Sequence, residues 1–435
     1  MIIIDTALKK RQEEDRPIQV GLIGAGFMGR GIALQILLSV PGMRLAGVVN
    51  RSTSVAEQAY RQAGVDSLIS TVTNVSQLED CIVHNRYAVS ADASILYKAD
   101  NIDVIIESTG HVEYSAGVVL EAIKHKKHVV LMNAELDATI GPLLKHYADR
   151  EGVVYTNADG DQPGVIMNLF RYVQSTGCRP VLAGNMKGLQ DVRRTPETQK
   201  GYAEQYHQKP KMVTSFADGT KISMEMAVIA NATGFTVGQR GMYGPECSHV
   251  KEAVNMFPME QMMATGLVDY VLGAEPAGGV FVLGYNENKV QRQYLQYYKM
   301  GEGPLYTFYT PYHLCHLEAP LTAARAVLFD DPAVTPQGGP VCDVITRAKK
   351  NLKAGDVLDG IGGFTCYGEL EKSEICQQEN LLPMGLNEGC TVKRDLRIDQ
   401  PVTYDDIILP QDRLGDKLRK EQNHLFGNID ISTEK

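Results

Sequence analysis

Ile18-Gln19-Val20-Gly21-Leu22-Ile23-Gly24-Ala25-Gly26-Phe27-Met28-Gly29 runs from a short apolar strand into a glycine-rich turn. The helically spaced apolar run Ile32–Leu38 follows and closes at Pro41-Gly42. The glycines of a Gly-x-Gly-x-x-Gly turn allow, in order, a tight bend, close backbone approach to a pyrophosphate, and close packing of helix on strand. The helix start adds unpaired N–H groups and the positive end of its dipole. Gly24, Gly26, Phe27, Met28 and Gly29 therefore mark a dinucleotide-binding turn.

Working outward, Leu45–Val49 reads as a second buried strand. Further strands are expected at Ile102–Ile106, Val129–Met132 and Val153–Tyr155, with helices around Ala116–Lys124 and Leu143–Arg150. Strands alternating with helices imply βαβ units, hence an α/β fold with a doubly wound parallel sheet of Rossmann type. The second strand ends at Asn50-Arg51-Ser52. An acid there would bind a ribose 2′-hydroxyl and repel a 2′-phosphate, whereas Arg51 offers a planar fork to that phosphate. NADP is favoured over NAD; the alternative is a solvated Arg51 and NAD. Ser108, Thr109 and Gly110 lie at one strand end, and Asn133 and Glu135 follow another, where ligands of open α/β sheets bind. Asn133 and Glu135 suit cofactor or substrate contact, or helix capping.

Beyond Gly160 the pattern changes. A helix over Gly164–Ser175 stops at Gly177, and Pro180–Ala183, Val280–Leu283 and Leu305–Tyr309 read as strands. Val213–Phe216 and Lys221–Met226 flank Asp218-Gly219, a hairpin signal. An α+β second domain is expected, with Tyr294, Tyr297, Tyr298, Tyr306, Tyr309 and Tyr312 in core or interface packing. A turn-rich stretch from Phe329 to Pro340 reads as a linker before a small β-rich module with a polar tail over 417–435. The expected domains are 1–160, 161–335 and 336–435. The length of 435 residues agrees with about three domains.

Composition excludes several classes. The 44% hydrophobic share feeds a core, and a net charge of −9 gives no basic balance for a nucleic-acid backbone. No apolar run reaches the ~18 residues of a membrane span, and the charged start MIIIDTALKKRQEEDRP is not a signal peptide. Eight scattered cysteines without a CxxC pair support neither a disulfide framework nor a structural zinc site. A cytoplasmic protein is expected, without nucleic-acid or membrane partners.

GLIGAGFMGRGI, DVIIESTG and HVVLMNAE resemble the cofactor domain of homoserine dehydrogenases over roughly the first 160 residues. Asn133-Ala134 stand where those enzymes usually carry Asn-Lys, the Lys being catalytic. A longer resemblance runs through MNAELDATIGP, SMEMAVIANATG, GMYGP, GPLYTFYTPYHLCHLEAPLTAARAVL, AKKNLKAGD and LLPMGL. These are similar to the 1-deoxy-D-xylulose 5-phosphate reductoisomerase-like proteins. That resemblance implies an NADP-binding domain, a catalytic domain that also mediates dimerisation, and a SAF-type C-terminal module; a homodimer or higher homo-oligomer is expected. The reductoisomerase-active branch has a Lys-Gly-Lys-Asn-Asn run where this chain has Gly184-Asn185-Met186-Lys187-Gly188-Leu189-Gln190-Asp191.

Lys187 lies just past a strand, where a cation stabilises a developing alkoxide or shuttles its proton; a surface charge is the alternative. Arg193 and Arg194 suit a phosphate or carboxylate, or a solvated loop. Glu225, among Met224, Met226 and Val228, is a costly carboxylate unless paired or functional, though strand alternation also allows a wet face. Asn231 shares its motif and is a substrate-binding candidate. His313 is read as a pocket hydrogen-bonder or core histidine, since three-residue spacing to His316 without HExxH argues against zinc. Asp161, with Asp159, suits a substrate hydroxyl, a turn, or a divalent ion if the reaction is a reductoisomerisation. Lys187, Glu225 and His313 are thus the catalytic candidates, and Glu135, Asp161, Arg193, Arg194 and Asn231 the substrate-binding ones. The expected activity moves hydride between NADP and a small anionic polyhydroxy carbonyl compound, a sugar phosphate or sugar acid. The alternatives are the reductoisomerase of isoprenoid synthesis, a homoserine dehydrogenase, and a non-enzymatic NADP- or sugar-binding protein.

Overall fold

Five of the six residues of strand β1 (Ile18–Ile23) are buried, so it belongs inside a sheet covered on both faces. In the computed structural model, which describes residues 3–427, β1 is the middle strand of a seven-stranded parallel sheet. The others are β2 (Met43–Val49), β3 (Ile69–Thr71), β4 (Tyr87–Ser90), β5 (Val104–Glu107), β6 (His128–Leu131) and β7 (Tyr155–Asn157). Their order is β3-β4-β2-β1-β5-β6-β7, every pairing parallel. Strand addition therefore reverses between β1 and β5, which opens a crevice at their carboxyl ends. Strands β3 and β4 are not among the strands expected from the sequence; β3 has only Ile69 as an apolar residue.

The chain divides into two compact units instead of three domains. The first holds the described residues up to Asp137 together with Leu143–Gly164 and Leu314–Thr335; the second holds Ala138–Pro142, Val165–His313 and the described residues from Pro336 onward. The chain crosses between the units at 335/336, where a boundary is expected, but Leu314–Thr335 belong to the first unit, because the helix Cys315–Phe329 packs on the glycine-turn helix Phe27–Ser39. Buried Arg325 fastens it there, both oxygens of Asp159 lying 3.0 Å from its Nη1. The stretch taken as a linker is partly buried, at Ala333 and Val334, and Val334 bridges to Asn157.

The second unit is built on a mixed sheet in the order β11-β10-β8-β9. Its strands are β8 (Arg179–Lys187), β9 (Leu267–Leu272), β10 (Val280–Tyr285) and β11 (Leu305–Thr310), with β8 and β9 parallel and the other pairings antiparallel. The hairpin expected across Asp218-Gly219 is instead two helices, Pro210–Ala217 and Thr220–Thr233. Gly219 takes a φ of +87°, and the Asp218 carboxylate accepts from the Thr220 N–H at 3.0 Å. The Asp-Gly pair thus ends one helix and starts the next. The run after it is buried on all sides, so its apolar residues carry neither strand nor helix periodicity.

The β-rich C-terminal part is an antiparallel hairpin, β12 (Cys342–Ala348) with β13 (Cys366–Lys372), and the short pair β14 (Thr391–Val392) and β15 (Ile407–Ile408). Its hairpin packs on the helix Thr220–Thr233, where the Gly368 N–H donates to Thr220 Oγ1 at 2.8 Å. The expected polar tail is a helix over Leu414–Phe426 that buries Leu418, Arg419 and Gln422; 428–435 lie outside the described residues. Arg419 grips Asp343 with two hydrogen bonds of 2.6 and 2.9 Å. Of the tyrosines expected in packing, Tyr306 is buried, whereas Tyr294, Tyr297, Tyr298 and Tyr312 are exposed. No helix among the described residues is long and apolar enough to cross a membrane.

One buried carboxyl makes stability depend on pH. Burial pushes Asp137 up to about 6, against hydrogen bonds from the Tyr155 hydroxyl and the Asn157 amide, each 2.8 Å. The unfolded chain has it near the ordinary ~3.9, so folding favours the protonated form. Its contribution is complete below about pH 4 and disappears as pH rises through 6, a change of ~3 kcal/mol. Asp137→Asn should therefore gain ~3 kcal/mol relative to wild type between pH 4 and pH 7 in denaturant titrations. A difference that stays flat with pH would remove the carboxyl as the cause.

Candidate active site

In the first unit the three glycines of the turn meet three different surroundings. Gly24 has a φ of +98°, and a Cβ there would sit 3.0 Å from Ser108. A Cβ on Gly29 would fall 2.0 Å from the Gly24 carbonyl oxygen, so only glycine lets helix and strand close. Gly26 is exposed, has nothing within 4 Å of a built Cβ, and precedes the helix Phe27–Ser39 with no side-chain cap. The first-turn N–H groups are left for an outside acceptor, and the cradle beside them stays open for lack of a side chain. These residues fit the pyrophosphate of a dinucleotide. Phe27 is 44% exposed at this opening, and Met28 is half-buried.

Asn50 holds the turn, its Oδ1 accepting from the Ala25 N–H at 3.3 Å and its Nδ2 donating to the Ser52 carbonyl at 3.2 Å. Arg51 and Ser52 are exposed, and among the described residues Arg51 has no ion-pair partner. Across the crevice, the Ser108 hydroxyl donates to the carbonyls of Ile23 and Gly24 at 3.1 and 2.9 Å. Gly110 has a φ of +70°, and Thr109 Oγ1 lies 2.8 Å from Ser115 Oγ.

Glu107, at the end of β5, is completely buried and accepts from the Thr109 N–H at 2.7 Å and from Asn133 Nδ2 at 2.9 Å. Burial raises its pKa against those bonds. Asn133 Oδ1 meanwhile accepts from the Leu136 N–H at 3.1 Å as the cap of the helix Ala134–Glu151. Asn133 is therefore scaffold, committed at both ends of its amide. Glu135 is buried in the first turn of the same helix. Asp159 belongs to Arg325, as described above. Asp161 is 7% exposed, and Cys315 Sγ points at its Oδ1 from 3.8 Å.

The second unit brings Lys187, Asn185 and Glu225 together. Asn185 and Lys187 share one side of β8 because strand side chains alternate. Glu225, on the helix Thr220–Thr233, is 3% exposed and lies 3.5 Å from Asn185 Nδ2. Lys187 is the last residue of β8, not a loop residue, and its Nζ donates to the Phe216 carbonyl at 2.9 Å. Desolvation lowers its pKa, and the charges of Glu225 and Asp218 counter part of that shift. A carboxylate beside a desolvated ammonium makes a proton-transfer pair. Asn185, which helps hold Glu225, was legible only as the residue two before Lys187.

Other candidates are engaged elsewhere. Arg193 donates to the Lys349 carbonyl at 2.9 Å and pairs with Asp399; Arg194 pairs with Asp191 at 3.0 Å. Arg193 thus has both Nη groups engaged within the protein, whereas Arg194 meets its carboxylate only through Nε. Asn231 Oδ1 accepts from the N–H groups of Val341 and Cys342 at 2.8 and 3.2 Å and so fastens the start of the C-terminal hairpin. His313 Nδ1 lies 2.7 Å from the Gly278 carbonyl, which fixes the ring. Among the described residues no three His, Cys, Asp or Glu side chains converge as metal ligands. A concavity of about 510 Å³ beside Pro17, Val40 and Arg44 lies at the amino ends of β1 and β2, the wrong edge for a ligand of this fold.

Residues 24–155 match the family model "Homoserine dehydrogenase, NAD binding domain", and residues 160–319 match "Oxidoreductase DRL, catalytic domain". Homoserine dehydrogenase of Neisseria gonorrhoeae is 27% identical over 139 residues, 32% of this chain and 28% of that protein. The enzyme of a Synechocystis species is 27% identical over 136 residues, 31% of this chain and 28% of that one. The chain thus spans little more than a quarter of the length of the curated relatives it matches. A probable dehydrogenase from Thermotoga maritima superposes with a TM-score of 0.43 at 12% identity, over 74% of this chain and 91% of that one. The chain thus joins a segment similar to the homoserine dehydrogenase NAD-binding domain to one similar to an oxidoreductase catalytic domain.

Proposed function

We propose that this protein is an oxidoreductase that uses NADP to interconvert a carbonyl and a hydroxyl group on a small polyhydroxy compound. One observation carries the reading: Lys187, its ammonium desolvated, ends β8 beside the buried carboxylate of Glu225. The bound nicotinamide supplies or accepts the hydride. In the reducing direction Lys187 Nζ donates a proton to the substrate oxygen as negative charge develops there; in the oxidising direction the neutral amine takes the hydroxyl proton. The Phe216 carbonyl orients that amine, and the charge of Glu225 supports its protonated form. Arg193 is held by the Lys349 carbonyl and Asp399, so the proposal concerns the substrate's hydroxyl or carbonyl group and not an anionic group on it.

The test is NADPH consumption with a panel of sugar acids, sugar phosphates, hydroxy acids and their keto counterparts. At least one compound should accelerate it; a panel that never exceeds background contradicts the reading. Cofactor choice is read from Arg51. With no ion-pair partner among the described residues, its guanidinium is available to a 2′-phosphate. Arg51→Asp should shift the ratio of kcat/KM for NADPH over NADH by about tenfold or more toward NADH, or ~1.4 kcal/mol. An unchanged ratio would take Arg51 out of the cofactor site.

A further inference from the structure

Gly31 lies one turn into the helix Phe27–Ser39, where neither a bend nor a phosphate calls for glycine, and a glycine inside a helix costs about 1 kcal/mol against alanine. The reason lies across the packing contact. A Cβ on Gly31 would come within 2.6 Å of His316 Cγ and Cδ2. The imidazole also stands edge-to-face with the Phe27 ring, at a centroid distance of 6.4 Å and an angle of 81°. His316 is thus seated beside the uncapped first turn that Gly26 leaves open. It is half-buried, and among the described residues neither ring nitrogen has a hydrogen-bond partner. Gly31, His316 and Phe27 all belong to the first unit.

We infer that His316 is a dinucleotide-binding residue: Gly31 and Phe27 fix its ring so that an imidazole N–H donates to a phosphate oxygen of the nicotinamide dinucleotide held at the glycine turn. The inference rests on the NADP reading above and adds a side-chain donor from a segment nearly 290 residues downstream of the turn. A second feature agrees with a seated ring. Gly160 has a φ of +79°, and a Cβ on it would lie 2.7 Å from the Leu314 carbonyl and 2.8 Å from Glu318. The turn carrying His316 is therefore packed tightly on both sides. Burial also lowers the His316 pKa, so a neutral imidazole with one N–H is the form offered near neutral pH.

The experiment is calorimetric titration of the full chain with NADPH and with NADH. His316→Phe keeps the ring packing and removes the donor, so its dissociation constants should rise about tenfold or more for both nucleotides. His316→Gln, which keeps an N–H donor, should recover part of that loss. Gly31→Ala should weaken binding in the wild-type background and have no further effect in His316→Ala. If His316→Phe binds both nucleotides as tightly as wild type, the donor role is overturned and His316 is packing only. If the loss appears for NADPH alone, the donor serves the 2′-phosphate and the shared-phosphate assignment falls. If wild type binds neither nucleotide, the NADP reading itself fails and takes this inference with it.

Discussion

Lys187→Met is expected to lower kcat by about 10²–10⁴-fold while leaving the affinity for NADPH within a factor of two of wild type. The split follows from where the residue is. Lys187 belongs to the second unit, whereas every residue assigned to the dinucleotide turn belongs to the first. Methionine preserves most of the length and apolar stem, so β8 keeps its packing and only the proton and charge are lost. Lys187→Arg is the companion variant. It keeps a cation over the Phe216 carbonyl but cannot give up a proton near neutral pH, so it should remain within about tenfold of Lys187→Met. A Lys187→Met enzyme with wild-type kcat would end the assignment. Unaltered NADPH affinity guards against mistaking a folding defect for a catalytic one.

The second large effect is on stability. Lys349 and Asp218 form an ion pair of 2.7 Å with side-chain exposures of only 2% and 0%. The pair is fully satisfied. Lys349 Nζ also donates to the carbonyls of Arg194 and Gly363 at 2.9 and 2.8 Å, while Asp218 starts the helix Thr220–Thr233. Removing one partner strands a charge out of water, which costs about 3–5 kcal/mol. Lys349→Met should therefore lower the unfolding free energy of the second unit by that amount in urea titrations. Adding Asp218→Asn should recover most of the loss, since the amide oxygen still caps the helix and no charge remains. A Lys349→Met protein within 1 kcal/mol of wild type would mean that water or a rearranged neighbour compensates Asp218.

What the sequence discloses here follows the range of the interactions. The glycine turn is local: strand, bend and helix start lie within twelve residues, and each glycine meets the surroundings its spacing predicts. The parallel sheet is legible because β1, β2, β5 and β6 are continuous apolar runs. Asp218-Gly219 misleads because one dipeptide serves both a hairpin and a helix junction, and the buried run after it has no polar face to reveal its period. The catalytic candidates divide on the same principle. Lys187 and Glu225 are expected on a loop and a strand and lie instead at a strand end and on a helix. Arg193 and Arg194 look free because Asp399 lies 206 residues away from Arg193, beyond any local pattern. Arg325 and Asp159 are 166 residues apart. Their pairing carries the helix Cys315–Phe329 back to the first unit, and with it His316.

The most direct measurement is the pH profile of kcat for carbonyl reduction, wild type against Lys187→Met, with the best substrate of the panel. Lys187 must be protonated to deliver its proton, and burial lowers its pKa from the ordinary lysine value. The wild-type rate should therefore hold at low pH and fall as pH rises through a value below the usual ~10.4. In Lys187→Met that falling limb should be gone and the residual rate flat across the same range. A limb that persists unchanged in Lys187→Met would assign the proton to another group and contradict the role given to Lys187.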